Sequence, residues 1–468
     1  MIPTLKLDKE CKVCGGCYLE CSTKAIHFEL GEQNYYPVVD AKLCIGCGIC
    51  EKVCKASYRN ISEFQSYFYI GNSKDNDVLQ RSSSGGLFAE IAKYVLGCGG
   101  IVFGAAFDSN SYLVRHIGIE SIEKLKDLQK SKYAQSKWID IVSTLEHAIK
   151  EKRYILFSGT PCQVSSVKAR YGYYSKILFV DLFCHGVSNA RPFQDYLKSI
   201  NSAITKVDFR HCDKRYSKNF NLNIESEDKV VLREYCEENM FYRLFISSAI
   251  LKGACFECEY AINQHDADIT LGDFNDLDYA KEKNISALHP SIIAINTEKG
   301  ERIFEKIKAQ VDYAILDNMD LIQEYYVNHE EKTGAWGYDR EIHKNFEAEY
   351  SRYGFNHAAF NSLYAKEIQL IEKIDKVKKS GDRIYLYGAG VKGKDYVKVI
   401  RRLRPDWDID SFIVTLKEDN PTYVDGIKVE EVNERNKDNI VIVSVTEKYK
   451  KEIINDLNNR GFTKIFYE

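Results

Sequence analysis

The chain has 468 residues, enough for about three domains, and 44% of them are apolar, which fills ordinary globular cores. Its 65 basic and 68 acidic residues leave a net charge of −3. No basic face is implied, so neither nucleic acid nor an acidic membrane surface is expected as a partner. The start, MIPTLKLDKEC, lacks the apolar core of a secretory signal. The longest apolar run, Tyr94 to Phe107, is broken by Gly97, Gly99, Gly100 and Gly104 and is too short to span a bilayer. Fifteen cysteines in such a chain point to a reducing compartment that keeps thiolates for metal. A cytoplasmic location is therefore expected.

The first elements, over residues 1–60, are two cysteine runs. Cys11, Cys14, Cys17 and Cys21 follow the spacing C-x2-C-x2-C-x3-C, and Cys44, Cys47, Cys50 and Cys54 repeat it. Three thiolates at this spacing wrap one face of a four-iron cubane, and the fourth ligates the partner cluster. One 4Fe-4S cluster then takes Cys11, Cys14, Cys17 and Cys54; the other takes Cys44, Cys47, Cys50 and Cys21. Gly15, Gly16, Gly46 and Gly48 let the backbone turn tightly where a Cβ would crowd sulfide. Structural zinc prefers two pairs of ligands, and a disulfide framework belongs to short secreted chains. The stretch resembles bacterial two-cluster ferredoxins, except that the proline usual after each fourth cysteine is Ser22 in one run and Lys55 in the other.

Asn60 to Val78 is polar and mixed, and reads as a connector. From Arg81 the pattern is α/β. RSSSGG feeds an amphipathic helix carrying Leu87, Phe88, Ile91, Ala92 and Val95. Ile101–Phe107 reads as a strand, followed by helices at 122–128 and 141–149 with KSKYAQS between them. Two strand–turn–helix units follow: Tyr154–Phe157 runs into SGTPCQ and a helix at 164–170, and Lys176–Phe183 runs into CHG and a helix at 190–200. Ligands gather at the carboxyl ends of strands in an open parallel sheet, so Cys162 and Cys184 are expected to be neighbours. Short strands fill 204–235, a helix 239–251, then come CFEC, DADITLGDF and the strand Ser291–Asn296. Helices dominate 299–379.

The chain restarts at Asp382 with the strand RIYLYGAG, then alternating helices and strands. Gly388, Gly390 and Gly393 carry a dinucleotide-type fingerprint, but Ile413, Val414 and Thr415 stand where an acidic residue is expected. The favoured reading is a Rossmann-like packing or interaction domain. The fold class is α/β, with an α+β ferredoxin-like N-terminal module and a small Rossmann-like C-terminal domain. The expected domains are 1–60, 78–310, a helical connector at 311–380, and 381–468.

The ordered motifs RSSSGGLFAEIA, SKYAQS, LFSGTPCQ, DLFCHG, CFEC and DADITLGDF resemble the beta-subunit family of the hydrogenases and dehydrogenases that use the deazaflavin coenzyme F420. The likeness extends to bacterial relatives with a fused ferredoxin module and covers residues 8–310. It implies an iron–sulfur oxidoreductase containing FAD. It also suggests a third 4Fe-4S cluster on Cys162, Cys184, Cys255 and Cys258, where the alternative is a set of buried apolar thiols. Cys98, Cys212 and Cys236 lack such spacing and read as structural. Ser83, Ser84, Gly85 and Gly86 open a helix, where bare N–H groups suit a pyrophosphate or simply cap the helix. Lys132, Gly159 and Thr160 complete the candidate FAD site. Lys130 departs from the family, which tends to glycine there. His185 and Asp181 flank Cys184, and Asp273 reads as structural or as a neighbour of the cluster.

Three functions follow as expectations. The chain is an oxidoreductase taking electrons from a donor such as ferredoxin and reducing its own substrate through FAD, with deazaflavin not expected as the bound flavin. Alternatively it is an electron-transfer subunit serving a partner enzyme, or a binding and assembly protein with structural clusters.

Overall fold

The computed structural model describes residues 3, 5, 10–55, 65–211, 220–256, 258–261, 265–285, 289–323, 325, 339–418, 420–433 and 436–468. The chain divides into two compact units, Met1–Lys344 and Asn345–Glu468, and the architecture is α/β.

The first unit is built on a nine-stranded mixed sheet. Its spatial order is Val311–Ile315, Tyr67–Ser73, Ser291–Ile295, Ile269–Asp273, Ile177–Leu182, Ile155–Ser158, Ile101–Asp108, Leu113–Ile119 and Ser136–Lys137. The four strands from Ile269–Asp273 to Ile101–Asp108 are mutually parallel. They read as continuous apolar runs because both faces are covered. Ile101, Phe103, Ile155, Phe157, Ile177 and Phe179 enter one apolar core; Val102, Leu156, Leu178 and Val180 enter the other. This is the period-two alternation of a pleated strand. The helix Leu87–Gly97 covers the second face with Leu87, Ile91 and Val95.

The first face carries the cysteine loops. Cys11, Val13 and Cys17 share their core with Trp138, Phe157 and Val164. Two short helices, Gly16–Leu19 and Ile49–Lys55, flank an antiparallel hairpin of Ile26–Leu30 and Tyr35–Val39. Arg191, from the helix Ala190–Ser199, fastens this hairpin by donating to the carbonyls of Leu30 and Gly31.

Two strands correct the sequence reading. Tyr67–Ser73 lies within the expected connector yet is second in the sheet, paired on both sides. Val311–Ile315 heads the expected helical stretch and forms the sheet edge. Lys206–His211, Asn221–Ser226 and Lys229–Tyr235 form a separate three-stranded antiparallel sheet, as the pattern anticipates.

In the second unit, parallel strands follow the spatial order Ile427–Glu431, Ile409–Val414, Ile384–Tyr387, Ile440–Val443, Ile465–Phe466. Numbered along the chain this is 3-2-1-4-5, the Rossmann order. A Cβ on Gly393 would sit 2.2 Å from the Gly388 carbonyl, so its glycine is required by close helix–strand packing. Lys392, on the same turn, is held by Glu367 and Glu468, each at 3.1 Å.

Candidate functional site

The eight N-terminal thiols fall into two sets. Cys14, Cys11 and Cys54 are the thiol neighbours of Cys17, and Cys14 and Cys54 are those of Cys11. Cys21 and Cys47 are the neighbours of Cys50. One surface cavity is lined by Cys21, Cys44, Cys47 and Cys50 together. The fourth cysteine of each run thus stands with the other run's first three, the interleaving that the spacing anticipates.

The sets differ in burial. Cys11 and Cys17 are buried, while Cys47 in the other set is exposed. Burial first, and the Cys14 thiol second, push Cys11 up to about 12. Burial also lifts Cys17 well above the ordinary thiol range. Thiols in such surroundings ionise only when a cation takes the charge. Backbone donors already point at the sulfurs: Val13 N–H to Cys11 Sγ and Ala25 N–H to Cys21 Sγ, both at 3.3 Å. N–H groups aimed at sulfur are the donors that tune iron–sulfur clusters. Among the described residues, no three His, Cys, Asp or Glu converge tightly enough to hold a single metal ion. A cubane spreads its thiolates over four irons, so it needs no such convergence.

The glycines have local reasons. Gly15, Gly46 and Gly48 lie in the left-handed region, at φ 77°, 70° and 71°. A Cβ on Gly15 would also lie 2.3 Å from Trp138 Cζ2. Gly15 therefore seats the loop on the sheet domain, and crowding by sulfide is not needed to explain it.

A third set assembles at the sheet ends. Cys162 opens the helix Pro161–Tyr171, and Cys184 follows the strand Ile177–Leu182. The next segment meets the loop after Cys184: Lys252 N–H donates to the Val187 carbonyl and Asn189 N–H to that of Ile250. A Cβ on Gly186 would lie 3.4 Å from Cys255 Cβ, which places the Cys184 loop beside Cys255. Cys258 is a thiol neighbour of Cys162, which burial pushes up to about 12. Thr160 Oγ1 lies 3.3 Å from Cys162 Sγ.

At the centre of these thiols is Lys252, only 2% exposed. Its ammonium donates to the carbonyl of Lys12 at 2.8 Å and to Gln135 Oε1. Burial acts to lower its pKa, yet Cys255, Cys162, Cys11 and Cys258 beside it turn the net shift upward.

The candidate flavin residues are brought only partly together. Ser131 N–H and Oγ both donate to Ser83 Oγ, joining the RSSSGG and SKYAQS loops. Ser84 pairs with Ser291, and Gly85 N–H donates to Ser291 Oγ at 3.0 Å, so that N–H is not bare. A Cβ on Gly85 would lie 2.2 Å from the Gly71 carbonyl, and Gly86 caps its helix at φ 79°. Both glycines are accounted for by packing and capping. Lys132 is half-buried, and desolvation draws its ammonium down to about 7 while it donates to the Gln129 carbonyl at 2.6 Å. His116 is its neighbour, pushed down to about 4 by burial; His116 Nε2 lies 2.9 Å from the Ser158 carbonyl. His116 Nδ1 is buried without a hydrogen-bond partner among the described residues. A Cβ on Gly159 would lie 3.4 Å from His116 Nε2. Thr160 N–H donates to Gln163 Oε1 at 3.1 Å and caps the helix that carries Cys162. An imidazole nitrogen unmet among the described residues, beside a half-buried lysine, fits a polar ligand here better than at Gly85.

The remaining expectations resolve simply. Lys130 has φ 66°, the conformation that glycine adopts freely, and pairs with Asp208 at 2.6 Å. Burial opposes the charge on Asp208, but His211 and Lys130 hold it at about 2. Asp273 takes Arg210 at 2.5 Å. Asp181 is buried against His265 at 2.7 Å and Thr270 at 2.6 Å. Cys236 is buried and Cys98 exposed, so only the former has a core position; Cys212 lies outside the described residues.

Residues 152–319 match the family model for the carboxyl terminus of the beta subunit of coenzyme F420 hydrogenase/dehydrogenase. Over that segment the chain is similar to this beta-subunit family. A solved chain of the F420-reducing NiFe hydrogenase complex from Methanosarcina barkeri is similar at 15% identity, with a TM-score of 0.38, over 63% of this chain and 95% of that one. No curated protein matches the chain.

The matched segment contains Gly159, Thr160 and the whole third cysteine set. Ser83 to Gly86 and Lys132 precede it. It also contains Lys252 and Arg210, which the motif reading passed over. Arg210 donates to the Ser83 carbonyl at 2.9 Å and to Tyr133 Oη at 3.0 Å, tying three motifs together. Lys252 had a sequence signal, a lysine just before CFEC, but nothing in the sequence announces its burial. Among the described residues no helix is long and apolar enough to cross a membrane.

Proposed function

We propose that this chain is an iron–sulfur flavoprotein oxidoreductase that accepts electrons from a ferredoxin-type donor on 4Fe-4S clusters and delivers them through FAD to a substrate. The observation that carries the reading is the division of eight N-terminal thiols into two interleaved sets, one interior and one reaching the surface at Cys47. Similarity of residues 152–319 to a hydrogenase/dehydrogenase family supports redox chemistry in the segment holding the third set.

The chain's own contributions follow from the geometry. Cys21, Cys44, Cys47 and Cys50 would hold the cluster that takes electrons from the donor, with Cys47 at the surface. Cys11, Cys14, Cys17 and Cys54 would hold a second cluster, and Cys162, Cys184, Cys255 and Cys258 would hold a third. Val13 and Ala25 N–H groups stabilise the sulfur charge of the reduced state. FAD, when bound, supplies the conversion between one-electron steps and two-electron or hydride transfer. Lys132, Gly159 and Thr160 would hold it, with Lys132 placing a charge against it and His116 meeting a polar edge. Ser83, Ser84, Gly85 and Gly86 would contribute through their loop and helix start.

A second reading has specific support: the matching family model describes a beta subunit, and in that reading the electrons pass to a partner enzyme. Anaerobic stepwise reduction by a reduced ferredoxin, followed by EPR and flavin absorbance, tests the proposal. Sequential cluster signals followed by flavin bleaching are expected; a chain with no reducible cluster overturns it. Substrate-dependent flavin reoxidation by the lone chain favours the enzyme reading over the subunit reading.

A further inference from the structure

We infer that Lys252 is a shared electrostatic bridge between two clusters, those of the Cys11 and Cys162 sets, and that its buried charge raises the reduction potential of both. The inference rests on the cluster reading above and goes beyond it by assigning a residue that ligates nothing.

Burying an ammonium costs several kcal/mol unless negative charge stands beside it. Lys252 is 2% exposed, and among the described residues no carboxylate pairs with it. Its two hydrogen-bond partners, the Lys12 carbonyl and Gln135 Oε1, are neutral. Gln135 is itself buried and donates to the Ser136 carbonyl at 2.8 Å, which fixes its oxygen. The ionisable groups beside it among the described residues are thiols. The neighbours come from both sets: Cys11 from one, and Cys162, Cys255 and Cys258 from the other. The Lys12 carbonyl joins them geometrically. It follows Cys11 in the chain, accepts Lys252 Nζ at 2.8 Å and lies 4.0 Å from Cys162 Sγ.

Lys12 offers a contrast within the same loop. Its ammonium also neighbours Cys258 and Cys14, but it pairs with Glu259 at 2.7 Å and is 28% exposed. A paired, hydrated charge is screened; an unpaired, buried one is not. The transfer Lys252 serves is one electron leaving the Cys11-set cluster and entering the Cys162-set cluster, with no bond made or broken and no proton moved. A positive charge common to both favours the reduced form of each without opposing the step between them.

The test uses the full chain purified anaerobically as wild type, Lys252→Met, Lys252→Arg and Lys12→Met. Iron and sulfide are quantified, and EPR-monitored titrations give the midpoint potentials. In Lys252→Met two of the midpoints should fall together at undiminished iron, Lys252→Arg should stay near wild type, and Lys12→Met should shift less. Unchanged midpoints in Lys252→Met, or a fall in only one, overturn the shared role while leaving the clusters intact. If Lys252→Met loses iron, Lys252→Arg decides: full iron with wild-type midpoints supports the charge, and equal loss overturns it. A wild-type chain without iron would instead sink the cluster reading itself.

Discussion

The two places where thiols gather are built by opposite means. Cys11 to Cys54 needs only short spacings, glycine turns and a hairpin; six of its eight thiols lie in two triplets set by sequence alone. The set of Cys162, Cys184, Cys255 and Cys258 has no such local code beyond one CxxC. It exists because two parallel strands end side by side and a later loop pairs with the residues after the second. A local cradle can be read from a motif, while a long-range one has to be assembled by the sheet. The two meet at Lys252, whose contacts include both.

That difference can be broken deliberately. Cys17→Ala and Cys184→Ala should each remove about four iron per chain, one cluster's worth. Cys17→Ala should also reduce stability, because Cys17 lies in the shared core, whereas Cys184→Ala should leave the N-terminal signals unchanged. Iron analysis with EPR and thermal melting separates the two. Gly15→Ala attacks the docking of the local cradle. It forces a non-glycine residue to φ 77° and drives a Cβ into Trp138, at a cost of about 4 kcal/mol, read by denaturant unfolding.

The sheet side has its own weak points. His116 is buried and held near 4, below the ordinary histidine value of 6.5. The unfolded chain takes a proton below 6.5 that the native one refuses, so this stability is complete above that pH and lost as pH falls toward 4. The loss amounts to about 3 kcal/mol, and His116→Leu should remove that acid sensitivity in unfolding measured at stepped pH. Gln163 accepts from Thr160 N–H and donates to the Ser136 carbonyl beneath Cys162. Gln163→Leu should cost about 2 kcal/mol by stranding the Thr160 N–H, since Gln135 still donates to the Ser136 carbonyl, with the iron of the N-terminal sets unaffected.

Much of the α/β core was legible because apolar runs alternate with amphipathic helices. Ile155–Ser158, Ile177–Leu182 and the second unit's Ile384–Tyr387 all fall where the pattern puts them. Tyr67–Ser73 was not legible, since its NS ending and polar approach resemble a connector and its partners lie more than 200 residues away. Val311–Ile315 alternates only weakly and is exposed on both faces, at Asp312 and at Tyr313, as an edge strand can be. At the site, the interleaving of the two runs followed from spacing. The packing reasons for Gly85 and Gly15 did not, because a glycine written in sequence does not say whether it faces a ligand, a carbonyl or an indole. Lys130 shows the reverse: a lysine accepts glycine's backbone conformation, with Asp208 holding its side chain.

The most direct test of the account is stoichiometry on anaerobically purified full-length chain. Three four-iron clusters require about twelve iron and about twelve acid-labile sulfide per chain, alongside one extractable FAD. A colourless protein, or one carrying zinc in place of iron, would contradict the account at its base.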